Sequence, residues 1–149
     1  MHYMKPQNLI ATAQTIIKAP ASKVWAALTE PDLIKQYMFG ATVKSDWKKG
    51  SEITWEGEMN GKPYHDKGEI LVIDPDKTVS YTHYSPLAGL PDQPESYHTV
   101  TIELSASNDQ TRVTLTQDKN DSEKAKEEAA KNWNAMLEGL RKVVQESLV

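Results

Sequence analysis

The sequence predicts an α+β fold, an antiparallel sheet of six or seven strands with helices packed on one side. Three observations predict it. The chain closes on one long amphipathic stretch. Seven strand-like segments precede that stretch, the last six of them in succession. Two short helical segments interrupt the strands only once, after the first of them.

Taken in order, residues 9–19 (LIATAQTIIKA) read as the first strand, with alternation at Thr15, Ile17 and Ala19, and Pro20 ends it. Residues 21–28 form a short helix with Val24, Trp25 and Leu28 at helical spacing. Thr29-Glu30-Pro31-Asp32 starts a second, with Thr29 as its cap. Leu33, Ile34, Tyr37 and Met38 give that helix an apolar face, and Gly40 ends it.

A short strand at 41–45 and a turn at Gly50-Ser51 lead to residues 52–59. There Ile53, Trp55 and Met59 alternate with Thr54, Glu56 and Glu58, and Asn60-Gly61 closes a hairpin. The strand at 64–73 ends in an apolar run that leaves its facing open. Asp74-Pro75-Asp76-Lys77 is a turn by its chemistry, and residues 78–84 carry Val79, Tyr81 and His83 on one face. Residues 96–105 and 111–118 form the last hairpin, around Asn108-Asp109. Its single face holds His98, Val100, Ile102 and Leu104, then Val113, Leu115 and Gln117. Pairing Tyr81 with Val100 sets His83 opposite His98 and brings Gln117 beside Val100. The loop at 85–95 holds three prolines and two leucines, Leu87 and Leu90, which either cover a cavity mouth or pack on a neighbouring loop.

In the closing stretch, residues 121–149, a helical turn of about 100° per residue gathers one apolar arc. Ala125, Ala129, Ala130, Trp133, Met136, Leu137, Leu140, Val143, Val144 and Leu148 lie on it. Asn120, Asp121 or Ser122 caps the start, and Glu123 is placed for a capping box with Asn120. At 1.5 Å per residue the helix is about 40 Å long, enough to cross a sheet roughly 30 Å wide. Its alanines come first and its bulky side chains later. Small residues over a curved sheet leave room for a ligand beneath the first half. The competing reading is close helix–sheet approach, with Trp133 filling the gap. A coiled coil is the weaker reading, because the 3.5-residue repeat breaks at Leu137 and Val144 and lasts too few heptads.

Composition narrows the function. With 149 residues the chain reads as one domain, 1–149, and 38% apolar residues with a mean hydropathy of −0.61 describe a water-soluble one. No apolar run long enough to span a bilayer occurs, and the first residues lack the apolar core of a secretory leader. Zero cysteines exclude thiol catalysis and fit the cytoplasm, while a net charge of −4 speaks against nucleic acid. His2, His65, His83 and His98 show no metal-ligand spacing, and neither a nucleophile elbow nor a phosphate-cradling loop occurs. No metal or cofactor is expected. Glu56, Glu58, Asp66 and Glu69 read as solvent-facing strand residues.

The order of elements resembles the helix-grip fold of the START-like, or SRPBCC, superfamily. Within it the chain is similar to the branch of activators of the heat-shock-chaperone (Hsp) ATPase and their homologues. The matching residues are Ala19-Pro20, Val24-Trp25, Ala27-Leu28-Thr29 and Pro31, then Gly68 leading to Asp74-Pro75, and Tyr81-Thr82. Thr111-Arg112-Val113-Thr114-Leu115-Thr116 and Trp133 with Leu137 and Leu140 complete the match. Family members commonly carry tryptophan where His83 stands, histidine at Gln117 and tryptophans near Tyr37 and Met38, so this chain departs from them at cavity positions.

The resemblance implies an apolar ligand cavity between sheet and long helix. The expected function is non-enzymatic binding of an apolar or aromatic small molecule. Trp25, Trp55, Tyr81 and Trp133 would supply aromatic walls, His83, His98 and Gln117 polar anchors, and Val100, Ala129, Met136 and Leu137 the remaining lining. One alternative is a co-chaperone-like domain that stimulates a chaperone ATPase. Another is a small cyclase- or hydrolase-type enzyme using His83 and His98 as acid and base. The expected state is a monomer or weak dimer, with no membrane partner.

Overall fold

Turn chemistry places the strands. In the computed structural model, which describes residues 9–147, Asn60 and Gly61 adopt φ of 53° and 79°. They join β3 (Glu52–Met59) to β4 (Lys62–Asp74) in the primed turn that such a pair favours. Asp76, at φ 65°, reverses the chain into β5 (Thr78–His83). Asn108 and Asp109, at 49° and 66°, link β6 (His98–Ser107) to β7 (Gln110–Asn120). With β1 (Leu9–Ile17) and β2 (Thr42–Ser45) the strands form one antiparallel sheet ordered β1-β7-β6-β5-β4-β3-β2. Two single 3₁₀ turns, Pro86–Ala88 and Pro94–Ser96, lie between β5 and β6.

Between β1 and β2 run α1 (Ala21–Thr29) and α2 (Pro31–Tyr37), and the chain ends in α3 (Glu123–Glu146). One predicted cap moves, and one of three candidates is selected. Thr29 ends α1, its hydroxyl donating to the Trp25 carbonyl at 3.0 Å, so Glu30 precedes α2 without a side-chain cap. Ser122 caps α3, its Oγ accepting from Ala125 N at 3.0 Å. Asn120 instead belongs to β7, where its amide donates to the carbonyls of Leu9 at 2.9 Å and Gln117 at 3.0 Å. His2 and Leu148 fall outside the described residues.

The inward rows of the sheet build one core of Ala13, Ile17, Val43, Ile53, Ile70, Val79, Val100, Ile102, Val113 and Leu115. Burying each large aliphatic chain is worth about 1.5–3 kcal/mol. Against this face α3 presses Met136, Leu137, Leu140 and Val144, all buried, and α1 and α2 add Val24, Leu28, Ile34 and Tyr37. Helix length does not set helix direction: α3 runs along the edge strand β1 rather than across the whole sheet. Asn134 Oδ1 accepts from Gln14 N at 3.3 Å and Gln145 Oε1 from Lys18 N at 3.0 Å. The helix thereby satisfies backbone donors that an open sheet edge leaves bare.

Two local features shape the end of the sheet nearest the start of α3. At Gly68 a Cβ would lie 1.6 Å from the Thr82 carbonyl oxygen, so glycine alone lets β4 approach β5 this closely. In β7 one extra residue enters between Gln117 and Asn120 relative to β1, with Lys119 at φ 54°. This bulge turns Asp118 toward β6, where its carboxylate accepts from Thr99 N at 2.6 Å.

Candidate functional site

The two halves of α3 meet the sheet differently. Its second half is sealed by Met136, Leu137, Leu140 and Val144, whereas Ala125, Ala129 and Trp133 in the first half are only partly covered. Beneath those alanines lies an open cleft of about 790 Å³, within the size range of small-molecule sites. Its helix wall is Ala125, Glu128, Ala129, Asn132, Trp133 and Met136. Across from it stand Tyr64 and Asp66 of β4, His98 of β6, and Gln117, Lys119 and Asn120 of β7. The rim carries Met38 and Phe39 after α2, Met59 at the end of β3, and Leu87 and Ala88 in the β5–β6 loop. Phe39, Met59 and Leu87 are 87%, 59% and 58% exposed, an apolar collar drawn from three separate segments.

Behind the cleft a recess of about 50 Å³ is lined by Met38, Ala41, Trp55, Tyr64, Tyr81, His83 and Trp133. A further void of about 30 Å³ extends past Trp55 and Tyr81 into the core. Trp55 packs its ring on Tyr81 at 5.2 Å and edge-on to His83 at 5.0 Å. Gly57, opposite Tyr64 in the β3–β4 ladder, provides the shelf for the tyrosine ring: a Cβ there would meet the phenol oxygen at 2.8 Å.

The predicted register holds. Tyr81 pairs with Val100, His83 with His98, and Val100 with Gln117. The two imidazoles are nevertheless tied to different partners. His98 Nδ1 lies 2.9 Å from the Asp118 carbonyl, which only accepts, so Nδ1 carries the hydrogen and Nε2 remains uncommitted. The 3.4 Å approach of Gln117 Nε2 to the same nitrogen is then a contact between two donors. Gln117 is held by its other end, Oε1 accepting from Trp133 Nε1 at 2.5 Å. His83 Nε2 instead meets Asp66 Oδ2 at 2.8 Å.

Asp66 is a correction to the outward placement its charge suggested. Its side chain is only 14% exposed, and its Oδ1 is buried without a hydrogen-bond partner. The pairing Trp55↔Asp66 puts both residues on the inner face. Glu56, by contrast, stays outside, with its carboxylate 2.9 Å from His65. The phenols respond to this interior. Burial pushes Tyr81 above the ordinary tyrosine range, and Tyr37 likewise, with Tyr81 adding to the latter. Tyr64 is raised by burial and then by the Asp66 charge.

Of the sequence-chosen residues, the structure brings His98, Gln117, Ala129, Trp133 and Met136 to the cleft, and Trp55, Tyr81 and His83 to the recess behind it. Three do not reach either space. Val100 and Leu137 are fully buried beneath neighbouring side chains, and Trp25 packs on the core from α1, which contacts the far ends of β6 and β7. Leu87 stands on the rim, while Leu90 is turned away, its carbonyl accepting from the Tyr84 hydroxyl at 2.6 Å. Among the described residues no three His, Cys, Asp or Glu side chains gather as metal ligands, and no helix is long and apolar enough to cross a membrane.

A seven-stranded antiparallel sheet, two short helices after β1 and a long closing helix over a cleft define the helix-grip architecture. The family model described as "Activator of Hsp90 ATPase homolog 1-like protein" matches residues 18–145. The chain belongs to this family, within the SRPBCC group. A protein from Cytophaga hutchinsonii, solved in solution, is 51% identical over 97% of this chain and 99% of its own, with a TM-score of 0.84. CalU16 from Micromonospora echinospora shares the fold at 19% identity, covering 95% of this chain and 87% of its own with a TM-score of 0.70. So does the Aha1 dimer from Colwellia psychrerythraea, at 21% identity, 91% and 95% coverage and a TM-score of 0.70. No match is found among the curated proteins.

Proposed function

We propose that this family member acts as one domain that binds an apolar or aromatic small molecule, without turning it over, between its sheet and the first half of α3. One observation carries the reading. The cleft of about 790 Å³ opens where α3 presents Ala125 and Ala129, and it leads inward to the rings of Trp55, Tyr81 and Trp133. An apolar ligand there removes both its own surface and the exposed collar from water. His98 Nε2 and the Tyr81 hydroxyl supply the few polar anchors such a site needs. Cytoplasmic residence is part of the same reading, and a chain without cysteine is compatible with it.

The test is a thermal-shift screen of hydrophobic compounds, followed by titration of those that act. Ligand at a hundredfold excess over Kd stabilises by about 2.7 kcal/mol, raising Tm by about 5–10 °C in a chain of this size. Ala129→Leu fills the cleft from the helix side and abolishes the shift with the unliganded Tm preserved. Binding that survives this change unaltered places the ligand elsewhere.

A second reading is favoured by the collar itself: Phe39, Met59 and Leu87 form an exposed apolar ring that a protein partner can cover. In this family a chaperone ATPase is the candidate partner. Stimulation of a purified Hsp90-type ATPase by the native chain, lost in Phe39→Ser, supports it; unchanged turnover excludes it.

A further inference from the structure

We propose that the cleft selects ligands whose apolar body carries a protonated amine, and that Asp66 is the residue that reads the ammonium. The inference rests on the binding reading above and assigns its ligand class. Asp66 lines the cleft, and only one of its oxygens is used, Oδ2 meeting His83 Nε2 at 2.8 Å. Its Oδ1 is the one buried side-chain polar atom among the described residues without a hydrogen-bond partner. A carboxylate has about four acceptor positions, and a buried acceptor left unmet carries a desolvation penalty that a ligand donor removes. The ammonium is the donor that matches, because it brings both hydrogens and the opposite charge.

The surroundings favour the same choice. The rings of Tyr64 and Trp133 border the cleft beside Asp66, and aromatic faces attract cations. Asp121 and Glu128 line the same cleft, so three carboxylates stand against Lys119, which the structure engages elsewhere, its Nζ 3.4 Å from the Pro94 carbonyl. A ligand carboxylate entering this space meets Asp66 with like charge. Fatty-acid-like ligands are therefore disfavoured and aryl- or alkylamines favoured.

The test compares three probes of one shape on the native chain: 2-naphthylmethylamine, 2-naphthylmethanol and 2-naphthoic acid, with Kd read from the fluorescence of Trp55 and Trp133. The amine binds about tenfold or more tighter than the alcohol, as expected for a charge-assisted hydrogen bond, and the acid binds weakest. Asp66→Asn keeps an acceptor for His83 and removes the charge, so the ratio of amine to alcohol affinity falls by about that tenfold. The amine's advantage persists at about 0.5 M salt, where surface charges are screened within a few ångströms. An alcohol that binds as well as the amine, or an amine preference erased by salt, overturns the role of Asp66 and leaves the binding reading standing. Failure of all three probes to bind removes the binding reading and this inference with it. Should Asp66→Asn fail to fold, the comparison of amine with alcohol on the native chain still decides.

Discussion

Gly68 and Trp133 show how single side chains set the site. Any side chain at Gly68 collides with the Thr82 carbonyl, backbone against backbone, where nothing flexible can give way. Gly68→Ala therefore pushes β4 from β5, and overpacking of this kind costs about 1–3 kcal/mol or more, measured by urea denaturation. Because Asp66 lies on β4 and His83 on β5, the same change breaks their 2.8 Å contact and weakens ligand binding beyond the loss of stability. Trp133→Phe keeps a ring in the cleft wall but removes the indole N–H that holds Gln117. We expect a loss of about 1 kcal/mol and a freed Gln117 amide, seen as exchange-broadened side-chain NH₂ resonances. Asp66 itself was legible in the numbering. The turn at Asn60-Gly61 pairs residues whose numbers sum to the same total, which sets Asp66 opposite inward Trp55. Its charge masked that arithmetic, because a lone carboxylate on a strand is ordinarily solvent-facing.

At the scale of elements, the β5–β6 loop divides its residues between the two faces of the sheet. Leu87 and Ala88 overhang the cleft, whereas Asp92 is anchored on the other side by Lys67 at 2.5 Å and by the Tyr97 hydroxyl at 2.6 Å. Tyr97 in turn stacks on Tyr84 at 5.1 Å. The Lys67 ammonium, and then Tyr97, hold the Asp92 carboxyl below the ordinary aspartate range, and the Asp92 hydrogen bond holds Lys67 above the ordinary lysine range. A lowered carboxyl stabilises the anchored loop above the usual aspartate range and loses that contribution as pH falls through its lowered value. A raised ammonium loses its contribution as pH rises through its raised value. NMR titration of the Asp92 carboxyl carbon should show the lowered midpoint, and Lys67→Ala should return it upward. This loop was the least readable part of the sequence, since proline-rich residues without a period say nothing of which face they choose. Hairpins and the α3 arc were readable because turn chemistry and periodicity act locally. The bulge at Asp118 and Lys119 was not, because it is defined only by its offset against β1, a strand a hundred residues earlier in the chain.

Across the whole molecule, stability and binding sit at opposite ends of α3. The second half of the helix, with Leu137 and Leu140 fully buried, belongs to the core that α1, α2 and the inner sheet rows share. The first half covers the cleft with alanines and makes few buried apolar contacts, the condition under which a segment opens locally at less than the global unfolding cost. Hydrogen exchange should therefore run faster at residues 125–132 than at residues 137–144 in the unliganded protein. A bound ligand should slow the first set sharply and the second only as far as global stability rises. Mutation separates the two ends in the same way. Leu137→Ala opens a void in the sealed half and costs about 2–5 kcal/mol, yet leaves Kd nearly unchanged where the protein remains folded. Ala129→Leu spares stability and removes binding. A Leu137→Ala protein that loses affinity as steeply as stability, or a ligand footprint spread evenly along α3, would show that the cleft and the core are one cooperative unit.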